Sequence, residues 1–197
     1  SGGKHSLDDF AHAFYGMDNG SYVTRTYTVD DVVGALNQVQ PFDWAGFLKA
    51  RLDYTGPNLP EHGIERGGWK LVYTDQPNAA TKAMEGIRHS VDMAYSIGLR
   101  ASSSGEIYDV QWNGPAFQAG LVPGLSIVAV NGKDFSPQGL KDAVTAAQGD
   151  HAPIALLVKN VDVYSTVDID YHAGLRYPHL VRASGKDLLG AIVTARK

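Results

Sequence analysis

Seven histidines carry the side chains best suited to hold a metal or move a proton near neutrality: His5, His12, His62, His89, His151, His172 and His179. A hydrolytic zinc helix needs two imidazoles one helical turn apart with a glutamate beside the first, the pattern His-Glu-x-x-His. No pair here has that form. His5-Ser-Leu-Asp-Asp9 has the length but lacks both the glutamate and the second histidine. Cysteine is absent, which removes disulfides, thiolate zinc sites and thiol nucleophiles. The Gly-x-Ser-x-Gly elbow, the Gly-x-Gly-x-x-Gly loop and the Walker A loop are absent too. The pairs Asp8-Asp9 and Asp30-Asp31 could act as acid–base or metal pairs. Each follows a hydroxyl residue, Ser6 or Thr28, at the spacing of a helix cap, and capping is the stronger reading. No catalytic residue and no metal ligand is assigned.

What remains is the chemistry of binding. In Ser96-Ile97-Gly98-Leu99 the glycine permits a tight turn whose amides can converge on a carboxylate. Ile97 and Leu99 can line an apolar pocket, and Arg100 follows them. A helix opening at Ser136-Pro137 would bring Leu140 and Val144 to the same place. A groove between such a strand and helix accepts an extended peptide as an added strand. The candidate peptide-binding set is therefore Ser96, Ile97, Gly98, Leu99, Arg100, Leu140 and Val144. The competing reading is a plain strand with a bulge at Gly98. On the groove reading, Leu140→Glu abolishes peptide binding and leaves the fold intact. Arg176 and Arg182 could also take a carboxylate, against the plainer reading of solvated or locally paired side chains.

These residues need elements to position them. Residues 6 to 52 read as three helices, capped at Ser6, Thr28 and Asp43. Residues 54–68 are rich in Gly and Pro and read as a connection. Strand patterns follow at 69–74, 93–102 and 105–112, with a short helix near 78–90. Pro115 opens a short helix, 126–130 is a buried strand ended by Asn131-Gly132, and 153–172 supplies one long strand or two. Residues 175–182 read as irregular. The expected class is α+β: an N-terminal helical segment, the end of a larger helical domain, then a partly open β-barrel with two helices. The expected boundaries are a helical segment at 4–53, a linker at 54–68, a barrel-like domain at 69–182 with its core at 91–160, and a tail at 183–197 with helical character.

The totals fit that class. The 197 residues are 44% hydrophobic and 19% charged, as in ordinary globular proteins. A net charge of -4 argues against nucleic acid as a partner. No stretch reaches the roughly 20 apolar residues of a membrane span. The chain opens without Met or an apolar leader, so it reads as a processed or excised piece, and any export signal upstream would not be seen in it.

Two resemblances join these observations. "SIGL" and "GPAFQAGLVPGLSIVAVNG" make residues 91 to 160 resemble a PDZ domain of the bacterial type, with Gly124-Leu125 where Gly-Asp is usual. "GGKHSLDDFAHAFYG", "YTVDDVVGALNQVQPFDWAGFLKARLD", "GIERGGWKLVYTDQPN" and "GLRYPHLVR" resemble the C-terminal half of the glycyl aminopeptidase family of zinc metallopeptidases. That resemblance implies an enzyme removing N-terminal Gly and other small residues, with its zinc on a His-Glu-x-x-His helix and a later Glu. No position here matches those ligands, so zinc is implied for the full-length enzyme and no cofactor for this chain. Residues 4 to 52 would be the last helices of the catalytic domain.

Three functional readings follow. The chain is a non-catalytic C-terminal part of a zinc aminopeptidase, periplasmic or secreted rather than cytoplasmic. Its PDZ domain then docks peptide or protein C-termini, packs on its own catalytic domain, or controls substrate access. Alternatively it is a stand-alone adaptor. In the third reading the groove is filled by the protein's own chain, with "LRYPHLVR" as the candidate segment. Dimerisation through exposed helices is a further expectation.

Overall fold

The computed structural model describes residues 3–56 and 62–194, and the chain divides into two units at residue 60. In the first unit the three caps set the helices. Ser6 and Asp9 form a capping box at the start of α1 (Leu7–Tyr15), and Thr28 and Asp31 form another at α2 (Val29–Val39). The side chain of Asp43 accepts from the Gly46 amide to open α3 (Trp44–Leu52). Each cap satisfies amides that a helix start leaves without partners. Phe14 from α1 and Leu36 from α2 are the buried hydrophobic residues described in this unit. Phe10 stacks on Phe14 at 5.3 Å between centroids, and Trp44 donates its indole N–H to the Gln40 carbonyl at 2.7 Å.

The second unit begins with α4 (His62–Arg66), so part of the expected linker is helical, while residues 57–61 lie outside the described residues. It continues through β1 (Trp69–Thr74), α5 (Ala79–Arg88), β2 (Ser90–Met93), β3 (Leu99–Ser102), β4 (Ile107–Val110) and α6 (Pro115–Gln118). Then come β5 (Ser126–Val130), β6 (Lys133–Asp134), α7 (Pro137–Asp150), β7 (Ile154–Asn160), β8 (Val163–Ile169), β9 (Tyr177–Arg182) and α8 (Leu188–Val193). The sheets have the orders β1-β9, β2-β3-β4 and β6-β5-β7-β8, all antiparallel. The chain is α+β as expected. Among the described residues the sheets stay open, and no closed barrel forms.

Alternation builds the core. Val91 and Met93 on β2, Leu99 and Ala101 on β3, and Ile154, Leu156 and Val158 on β7 point inward, as the period of two requires. Leu140, Ala143, Val144 and Ala147 supply the helical stripe of α7. All belong to one buried cluster with Ile97, Ile107, Leu121 and Ile169.

The structure differs from the sequence reading at three elements. The apolar run at 153–172 is two strands, turned at Val161 with φ 56°. The stretch read as one strand at 93–102 is a turn over 94–98 between β2 and β3. Residues 177–182, read as irregular, form β9 and pair with β1 in the register Trp69↔Arg182 to Thr74↔Tyr177. That partner lies some hundred residues away, so no local pattern announces it.

Candidate peptide-binding site

The turn that joins β2 to β3 is the one singled out in the sequence. Gly98 has φ +79°, which favours glycine. A Cβ there would make only ordinary contacts, the nearest with the Gly114 Cα at 3.4 Å, so conformation rather than space selects the residue. The turn is tied down on both sides. The Ala116 amide donates to the Ile97 carbonyl at 2.8 Å, and the Gln111 amide donates to the Gly98 carbonyl at 2.8 Å. These bonds hold the turn against the start of α6 and the end of β4.

Two amides of the turn already share an acceptor. Ser96 N–H and Gly98 N–H both donate to the Met93 carbonyl, at 3.1 and 2.9 Å. That oxygen therefore sits where two turn amides converge, the place proposed for a carboxylate. The strand edge is occupied in the same way. β3 pairs with β4 on one side and with β2 on the other, through Val91↔Ala101 and Met93↔Leu99. A strand has two hydrogen-bonding edges, so an added peptide would have to displace β2.

A second helix seals this arrangement. The Asp92 amide, on the outer edge of β2, donates to Glu85 Oε1 of α5 at 2.9 Å. Glu85 Oε2 accepts from Lys141 Nζ of α7 at 2.8 Å, with both side chains largely buried. Thus β2 is joined to α7, the helix expected across the groove. Of the expected filler "LRYPHLVR", residues 177–182 pair with β1, while the Arg176 amide donates to Ser96 Oγ of the turn.

The seven candidate residues are brought into one region but do not all face solvent. Ile97, Leu140 and Val144 are fully buried and Leu99 is nearly so. Ser96 is buried, and its Oγ accepts from the Arg176 amide at 3.0 Å. Arg100 points to the other face of the sheet, where its guanidinium donates to Asp92 at 2.9 Å and also to Asp109. Burial acts to lower its pKa, but the hydrogen bonds and charges of those two carboxylates hold it above its usual value. Arg100 lines an open cleft with Thr81, Met84 and Tyr108.

The histidines are not arranged for zinc. Among the described residues no group of three or more His, Cys, Asp or Glu side chains is placed to hold a metal ion. His172 faces the Ala147 carbonyl with Nδ1 at 3.0 Å and Asp170 with Nε2 at 2.7 Å, so both ring nitrogens are engaged. Among the described residues no helix is long and apolar enough to cross a membrane. Glu85, Asp92, Tyr73 and Tyr95 were not singled out in the sequence. A lone carboxylate in a weak helix pattern and scattered tyrosines give no local signal.

No known family profile and no curated protein matches the sequence. Among solved structures, an aminopeptidase N family protein from Idiomarina loihiensis aligns with 85% of this chain at 18% identity, with a TM-score of 0.54. The HtrA3 PDZ domain, solved with the phage-derived ligand FGRWV, aligns with 66% of this chain and all of its own length at 18% identity, with a TM-score of 0.32. The chain spans 29% of the length of the aminopeptidase N family protein, and it shares the fold of that portion.

Proposed function

We propose that this chain is the non-catalytic C-terminal part of a zinc aminopeptidase, and that its PDZ-like unit is closed by its own β2. The observation that carries the closed unit is the double pairing of β3, with the Met93 carbonyl in the amide turn. The shared fold with a portion of an aminopeptidase N family protein supports the parent. The motif resemblance supports a preference for N-terminal Gly and small residues. Among the described residues no cluster suits zinc, and on this reading the metal and the chemistry fall to residues outside the chain. The unit then serves as a rigid accessory beside the active site rather than as a reader of free peptides.

Reading the frame upstream of Ser1 tests the parent. A His-Glu-x-x-His helix and a later Glu are expected, and the whole product should release Gly from a chromogenic amide and stop when zinc is chelated. A frame without that helix overturns the enzyme reading. The closed groove is tested by titrating FGRWV into the labelled chain. The Leu99 and Ala101 amides should stay in place. Movement of both, with loss of exchange protection in β2, would instead show a groove that opens to peptides.

A further inference from the structure

The two arginines of the 174–182 stretch differ in use. Arg182 lies 5.4 Å above the Trp69 ring, donates to the Gly68 and Gly185 carbonyls, and is 3.9 Å from Asp187. Its guanidinium is committed. Arg176 is exposed, and among the described residues its guanidinium makes no ion pair and no hydrogen bond. It is nevertheless held in place. Its Cζ lies 4.5 Å above the Tyr73 ring, and its backbone amide is anchored on buried Ser96. Tyr95, from the same turn as Ser96, packs beside Tyr73 at 5.8 Å between centroids. Both rings are partly open to solvent, at 37% and 44% exposure.

We propose that Arg176, Tyr73 and Tyr95 form a binding site for a carboxylate carried on a peptide. A guanidinium stacked on a ring keeps its N–H edge free for two parallel bonds to a carboxylate. Stacking also restricts the long side chain before binding, so less freedom is lost on contact. The two tyrosine faces offer apolar cover for the residue that bears the acid. A single fixed cation matches a single anionic charge. The net charge of -4 on the chain weighs against attraction of polyanions. The site is separate from the groove edge, because it uses the outer face of the turn and the end of β1. It stands whether or not the chain belongs to an aminopeptidase.

The test is a site-resolved titration of the whole chain by ¹H–¹⁵N NMR. The probes are acetyl-Ala-Val with a free carboxylate, the same dipeptide as its amide, and acetyl-Glu amide. The free acid should shift the Arg176 side-chain N–H and the Tyr95 amide, saturating at a dissociation constant on the order of 1 mM. The dipeptide amide should shift neither. A response to acetyl-Glu amide as well assigns the site to any carboxylate. A response to the free acid alone assigns it to chain ends. Arg176→Gln should abolish the shifts with the remaining spectrum unchanged. Arg176→Lys should weaken binding by about fivefold, because charge remains but the fork is lost. Absence of a saturable shift overturns the proposal. So does equal binding of the dipeptide amide, persistence in Arg176→Gln, or movement of Leu99 and Ala101 in place of Arg176.

Discussion

Tyr177 shows how a single side chain ties stability to pH. Its ring is 2% exposed and its hydroxyl faces the Met93 sulfur. Burial first, and then the negative charges of Glu85 and Asp92, push its pKa from the usual 10.0 up to about 12. Between those values the unfolded chain binds fewer protons than the folded one, so stability falls as pH rises. The contribution is fully present below pH 10 and is lost by about pH 12. The urea midpoint should therefore drop between about pH 10 and pH 12, and Tyr177→Phe should flatten that drop. Tyr171, also raised by burial, keeps part of the slope. A second residue corrects an expectation. Leu140 has no exposed surface, so Leu140→Glu buries an unpaired carboxylate instead of merely blocking a groove. It should unfold the second unit, whereas Leu140→Ala should cost about 2–5 kcal/mol, read by denaturant unfolding.

The elements show which interactions hold β2 in place. β2 has four residues, and one of its edges depends on Glu85. Glu85→Ala leaves the Asp92 amide without its acceptor and Lys141 without its partner. That should cost about 1–3 kcal/mol and speed amide exchange of Val91 and Met93 more than that of Leu156 in β7. Equal acceleration in both strands would mean that Glu85 stabilises the unit as a whole and does not clamp β2. The same elements mark the limit of what the sequence tells. The caps at Ser6, Thr28 and Asp43 were legible because a cap is a local bond between residues two or three apart. The apolar stripe of α7 was legible from its helical period, and Gly98 from its turn chemistry. The pairings β1–β9 and β2–β3 were not. Strand patterns state that a partner is needed and not which one. The occupied edge of β3 follows from pairing alone. The Arg176 stack likewise joins residues about a hundred positions apart in the chain.

The whole molecule contrasts two units of unequal self-sufficiency. The second carries a continuous cluster drawn from strands and helices, with many side chains wholly removed from water. Among its described residues the first offers three short helices and two buried hydrophobic side chains, Phe14 and Leu36. Leu7 and Leu52 remain 73% and 76% exposed, and Val29 61%. Its caps fix helix starts, but a cap contributes only about 1 kcal/mol and cannot replace a core. Ordering some fifty residues costs far more than two buried side chains return. Backbone amides of α1 to α3 should therefore exchange much faster than those of β5 and β7 in this chain. If the chain is the end of a longer peptidase domain, the upstream residues should cover Leu7, Val29 and Leu52. The same amides should then gain protection by at least about tenfold in the longer protein, a shift of roughly 1.4 kcal/mol or more in local opening. Strong protection of α1 to α3 in the present chain would show a self-contained helical unit and remove the need for an upstream partner.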